Sequence, residues 1–179
     1  MKKLNKKYYY YLFDWANSPY STVIITFIFS SYFVNTIASS KISGTSLWGW
    51  TLAASGLVIA LLGPILGKIA DTKRTFARYF LFSSTIIIST GSLMLWYSKP
   101  SISFIFYTLM IIFITNTLFE LCQIFYNSRL IDYRSNKSLG QFSGTAWAFG
   151  YLGGIICLLI ILGALVLPEK NILNLDKNN

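Results

Sequence analysis

Five apolar runs, each offering roughly the 20 residues that a helix needs to cross a hydrocarbon layer, dominate this chain of 179 residues. They extend from about Trp15 to Ala38, from Leu47 to Leu66, from Tyr79 to Tyr97, from Ile102 to about Tyr126, and from about Phe142 to Leu167. None has the alternating lipid-out, lumen-in pattern of a membrane barrel strand. The expected fold is therefore all-α: a polytopic membrane helix bundle with five transmembrane helices. A basic segment (1–14) precedes the transmembrane domain (15–167), and a polar tail (168–179) follows it. Composition points the same way. With 54% hydrophobic and 12% charged residues, a water-soluble domain of this length has too little interior to hide its apolar surface.

The net charge of +9 raises nucleic acid as a partner, but the bases cluster at the ends of apolar runs instead of lining one polar face. They read as orienting charges, with membrane lipids as the partner. With the N-terminus inside, one face carries Lys2, Lys3, Lys6, Lys7, Lys68, Lys73, Arg74, Arg78, Arg129, Arg134 and Lys137. The other carries Lys41, Lys99, Lys170 and Lys177, so all 15 bases divide eleven to four. The positive-inside rule then makes the N-terminus cytoplasmic, and the expected location is the plasma (inner) membrane. Tyr8 to Tyr11 suits the headgroup zone. The N-terminus does not read as a cleavable signal, because its apolar run is full length, carries Asp14 and lacks a small-residue cleavage site.

Histidine is absent, which removes His-based metal sites and general bases. Cys122 and Cys157 fall inside apolar runs and read as small buried hydrophobes. No cofactor and no metal is expected.

The charged island Gly63-Pro-Ile-Leu-Gly-Lys-Ile-Ala-Asp-Thr-Lys-Arg-Thr-Phe-Ala-Arg78 separates the second and third runs. Leaving the bilayer and returning within so few residues predicts a tight loop carrying Asp71, Lys73, Arg74 and Arg78. Its acid suits the start of a helix, and its bases suit anionic headgroups. Gly67 stands four residues before Asp71. This island resembles the signature between helices 2 and 3 of the major facilitator superfamily, although Thr72 stands where a base is usual and the second glycine is missing. Gly67, Asp71, Lys73, Arg74 and Arg78 would then form a conformational loop motif. Pro64 is expected to kink the end of the second span. Gly63 with Gly67, and Ala146, Gly150 and Gly154 on the fifth span, have the spacing that lets helix backbones approach closely in lipid.

Three further stretches narrow the resemblance: Asp14-Trp-Ala-Asn-Ser18, Phe125-Tyr-Asn127, and Ser143-Gly-Thr-Ala-Trp-Ala-Phe-Gly-Tyr-Leu-Gly-Gly154. Together they are similar to the vacuole-effluxer branch of that superfamily, named for an autophagy-related amino-acid effluxer. Arg129 and Ile131 depart from it, in a region usually apolar and proline-bearing. The resemblance implies two six-helix halves alternating around a midplane cavity, of which these runs match five helices of the N-terminal half. The expected function is part of a secondary transporter for small solutes, amino acids among them. The Asp71-type residue would hold a helix of the other half. By itself the chain is not expected to transport: it reads as a relic, as half of a transporter whose other half is separately encoded, or as a protomer pairing with a second copy.

The residues that bear on solute or ion coupling are Asp14, Asn17, Glu120 and Asn127. A carboxylate deep in a bilayer is costly, about 2.5–3.5 kcal/mol at the centre on insertion scales, and normally faces other helices or water. Glu120 is a candidate proton or cation site; its plainer reading is a wetted interfacial carboxylate or a pair with Arg129. Asp14, with Asn17 and Ser18, either caps the first helix or stands at a cavity mouth. Two other classes stay open. A non-catalytic membrane subunit fits the packing glycines. A membrane-embedded lipid-modifying enzyme would share the basic face, and Asp71 to Arg78 resembles the start of the alcohol phosphatidyltransferase motif. That motif's next glycine and its downstream aspartates are missing, however, so no metal pair can be held and no enzyme is expected.

Overall fold

In the computed structural model, residues 6–133 and 138–166 are described. Among them, every regular element is helical. In chain order they are α1 (Lys6–Pro19), a wide π-helical stretch (Tyr20–Phe27), α2 (Ile28–Tyr32), a second π-helical stretch (Phe33–Ile37), α3 (Lys41–Thr72), α4 (Arg74–Met94), α5 (Ile105–Ser128), α6 (Leu130–Tyr133) and α7 (Leu139–Ile161). Short 3-10 turns, Leu95–Tyr97 and Ile102–Phe104, lie between α4 and α5, and a π-helical stretch, Leu162–Val166, follows α7. Five of the continuous helical segments are long and apolar enough to cross a membrane: Tyr8–Ile37, Lys41–Thr72, Arg74–Tyr97, Ile102–Asp132 and Leu139–Ala164. The fold class is the one the apolar runs predict. The protein is a multi-pass membrane protein.

The helices overrun the apolar runs at their polar ends. α1 begins at Lys6, upstream of Trp15, so the tyrosine run is helical. The expected loop between the second and third spans shrinks to Lys73 alone (φ −111, ψ 79). Asp71 lies in the last turn of α3, and Arg74 and Arg78 lie in the first turns of α4. Lysine and arginine are good helix formers, so a charged island without a glycine or proline after Gly67 continues both helices toward each other. α3 also runs on through Pro64.

The chain divides into two compact units, one formed by Met1–Ile28 with Tyr133–Asn179 and the other by Phe29–Asp132. In the first, α1 packs along α7. Phe142 is fully enclosed, with its ring centroid 4.9 Å from Tyr11 and 5.3 Å from Tyr10. Beyond Pro19 the chain widens into the π-helical stretch. A proline has no N–H to bond the carbonyl four residues back and its ring crowds that carbonyl, and a π-bulge is one way a helix absorbs the misfit.

In the second unit α5 packs against both α3 and α4. Its core holds Ala70, Ala77 and Phe125, with Leu66, Phe80 and Leu81 against them. Phe80 and Phe125 stack with centroids 4.3 Å apart. Gly91 lets the Thr115 methyl close onto α4. At one end Ser40 caps α3, accepting from the Ser43 N–H at 3.2 Å. There Gly44 lies so near Ala38 and Val34 that a Cβ would meet them at 2.7 and 3.0 Å. Large apolar side chains stand outward on the spans: Trp50 and Phe106 are each 75% exposed and Leu93 73%. Lipid is a natural solvent for that surface.

Candidate functional site

In the first unit, two of the sequence motifs meet. Asp14-Trp-Ala-Asn-Ser18 lies on α1, and its partner surface on α7 is Gly150, Gly153 and Gly154. A Cβ on Gly150 would stand 2.7 Å from the Asp14 Oδ2 and 2.8 Å from the Ser18 Oγ. One on Gly153 would run into the Trp15 carbonyl and lie 2.8 Å from the Trp15 ring, and one on Gly154 would meet the Thr22 methyl at 2.8 Å. Real Cβ atoms do not come so close, so these glycines are what allow α1 and α7 to touch. Trp15 is the residue whose carbonyl loses its ordinary helical donor, because position 19 is proline. That carbonyl is the group against Gly153. Ala146 is buried on the same helix.

Asp14 is half-buried and inside α1, not at its start, so the capping alternative fails: the helix already extends upstream to Lys6. The Ser18 hydroxyl donates to the Asp14 carbonyl at 2.9 Å, which leaves the carboxylate untouched. Asn17 Nδ2 is shielded from solvent and has no hydrogen-bond partner among the described residues.

In the second unit, α5 carries Asn116, Glu120, Gln123 and Asn127 at the spacing that keeps side chains on one helix face. Asn116 is buried and donates to the Ser55 Oγ on α3 at 2.9 Å, and Thr117 donates to the same oxygen at 3.0 Å. Glu120 and Asn127 are exposed, and Gln123 is partly so. The polar row thus starts as an interhelical bond and continues as an open edge.

Glu120 does not pair with Arg129. The Arg129 guanidinium instead reaches Asp132 at 3.2 Å, one helical turn on, and donates to the Arg74 carbonyl at 2.8 Å. Arg74 itself pairs with Asp132 at 2.9 Å. Asp132 therefore gathers two bases and ties the start of α4 to the link between α5 and α6. The three residues at the chain's bend, Asp71, Lys73 and Arg78, are exposed, as is Lys68. Gly63 and Gly67 face Ile124 of α5, where added Cβ atoms would stand 3.4 and 3.8 Å from its side chain. The approach there is ordinary, unlike that at Gly150 and Gly153.

Sequence reasoning named Glu120 and Asn127 but passed over Gln123 and Asn116, although the four-three-four spacing of polar residues in an apolar helix was there to be seen. It also passed over Ser55, Gly153 and Asp132. Among the described residues, no group of three metal-ligating side chains forms.

The chain is 32% identical over 164 residues to a protein of Bacillus subtilis (strain 168) described as "Uncharacterized MFS-type transporter YxiO". MFS denotes the major facilitator superfamily. This similarity supports that superfamily. The alignment covers 88% of this chain and 37% of the relative, so the chain spans just over a third of the relative's length. No family model matches the chain, and no solved structure matches it.

Proposed function

We propose that this protein forms part of the helix framework of a secondary transporter that moves small solutes, amino acids among them, across the plasma (inner) membrane. The reading places it in the vacuole-effluxer-like branch of the superfamily, with its N-terminus in the cytoplasm. Its work is binding and passage rather than bond-making, so it is not an enzyme. The observation that carries the proposal is the open polar edge of α5. Glu120 and Asn127 stand exposed, and Gln123 partly so, on a helix with no lysine or arginine between Ile105 and Ser128. Lipid does not tolerate such an edge cheaply, so intramembrane ionisable groups face a bundle interior or a watery path.

Alternating access needs two bodies that rock against each other, and the similar protein is much longer than this chain. Further helices therefore complete the path. They come from continuing polypeptide, from a separately encoded half, or from a second copy, and the flanking reading frames and the subunit stoichiometry distinguish these sources.

The test is reconstitution of the complete assembly in vesicles with an imposed pH gradient and a radiolabelled amino-acid mixture. Driven uptake is expected, and Glu120→Gln is expected to abolish it with membrane insertion intact. Driven uptake that survives Glu120→Gln would remove Glu120 from the coupling path; no uptake in the unaltered assembly, of amino acids or other small solutes, would remove the transport reading.

A further inference from the structure

The bend between α3 and α4 places bases where the outward surface of both helices is otherwise apolar. Lys68 stands five positions before Lys73 and Arg78 five positions after it, so both lie about 7.5 Å of helix rise inside the bend. Both are exposed. On α3, Lys68 continues the line of Leu61 and Ile65, at the four- and three-residue steps that keep side chains on one helix face. On α4, Arg78 heads a line that continues through Phe82 and Ile86 at four-residue steps. All four of these apolar side chains are exposed. Each base therefore ends an apolar ridge that faces out of the unit. Tyr79, next to Arg78, is exposed as well, and tyrosine favours the headgroup level of a bilayer.

A lysine or arginine on a lipid-facing surface stretches its stem along the hydrocarbon and carries its charge to the interface. Among the described residues the ion pairs join Asp132 to Arg74 and to Arg129, and neither Lys68 nor Arg78 takes part. Asp71, the nearest acid in sequence, is exposed and takes no part either.

We propose that Lys68 and Arg78, with Lys73 at the bend, hold the headgroup of an anionic phospholipid whose acyl chains lie on the two ridges. The charge of the bases selects an anion, and the ridges that run on from them select one that carries hydrocarbon. A free phosphate would meet the bases and leave the ridges bare. A zwitterionic lipid would bring its own cation up to the bases. The site needs no solute path, so it stands whether or not the edge of α5 is wet.

Native mass spectrometry of the full chain in detergent tests this, with phosphatidylglycerol and phosphatidylcholine of identical acyl chains as probes. Phosphatidylglycerol is expected to be retained in preference. One base near the membrane surface is worth about fivefold in affinity for an anionic lipid. Lys68→Gln and Arg78→Gln should each weaken phosphatidylglycerol by about that factor, and together by about 25-fold, with phosphatidylcholine unchanged. Exchanging the two bases, Lys68→Arg with Arg78→Lys, should preserve retention. Lys41→Gln with Lys99→Gln removes the same charge from exposed positions at the opposite ends of α3 and α4 and should leave it unchanged. An equal loss in that pair would overturn the proposal, because net charge and not this surface would then attract the lipid. Displacement of phosphatidylglycerol by millimolar inorganic phosphate would also overturn it, by making the bend a site for free anions. If the glutamine variants do not fold, the unaltered protein still decides: equal retention of the two lipids would remove the site.

Discussion

At the scale of single residues, the contact between α1 and α7 depends on the absence of side chains. Gly153→Ala places a methyl against the Trp15 carbonyl and ring. Overpacking of this kind typically costs about 1–3 kcal/mol. Gly144 lies on the same helix with nothing within 4 Å of an added Cβ, so Gly144→Ala should gain up to about 1 kcal/mol from helix propensity. Thermal unfolding in detergent should show these opposite signs; equal effects would mean that α7 does not approach α1 at Gly153. The sequence discloses part of this. Ala146, Gly150 and Gly154 are visible as a four-residue repeat, but Gly153 falls outside the repeat. Its role comes from a main-chain carbonyl, and no side-chain pattern reports the direction of a carbonyl. Pro19, four residues after Trp15, was the only available sign. Likewise Asp14 was legible as an isolated acid in an apolar run, while the enclosed amide of Asn17 needed the packed helices to be seen.

At the scale of elements, two of the polar contacts that join helices of the second unit should differ in weight. Ser55 is wholly buried and accepts from both Asn116 and Thr117. Ser55→Ala strands the Asn116 amide, and by the range measured for interhelical bonds in membrane proteins the loss should be about 0.6–1.7 kcal/mol, read from unfolding in mixed micelles. The Arg129 side chain is 14% exposed and holds both Asp132 and the Arg74 carbonyl. The Arg74 side chain is 74% exposed and has Asp132 as its ion-pair partner. Arg129→Ala should therefore cost more, about 1–3 kcal/mol, than Arg74→Ala, which should cost at most about 1 kcal/mol as an exposed pair. Amide hydrogen exchange at the start of α4 should rise accordingly, and equal protection in both variants would show that the clasp does not secure that end. The existence and order of the helices were readable from hydropathy, whereas their ends were not. Apolar runs stop where lipid stops, and helices stop where the backbone loses its bonding pattern. Around Lys73 those two boundaries are several residues apart. Asp132 was missed for a related reason: an acid three residues after Arg129 reads as a loop charge until α6 brings it back beside Arg74.

At the scale of the whole molecule, five helices long and apolar enough to cross a membrane carry large apolar side chains outward, and the polar row along α5 interrupts that surface. Composition alone made the solvent legible, because so much apolar surface cannot face water. The polar edge of α5 was legible only in part, since Glu120 attracts attention as a charge while Gln123 and Asn116 are neutral. The most direct measurement is cysteine labelling of α5 in intact membranes, with Cys122 and Cys157 first replaced and an impermeant thiol reagent as probe. Cysteines at positions 120, 123 and 127 should react, and cysteines at the exposed apolar positions Met110 and Ile114 should not. Protection of the polar positions equal to that at 110 and 114 would mean that lipid or protein, not a watery path, covers this edge, and would contradict the transport reading.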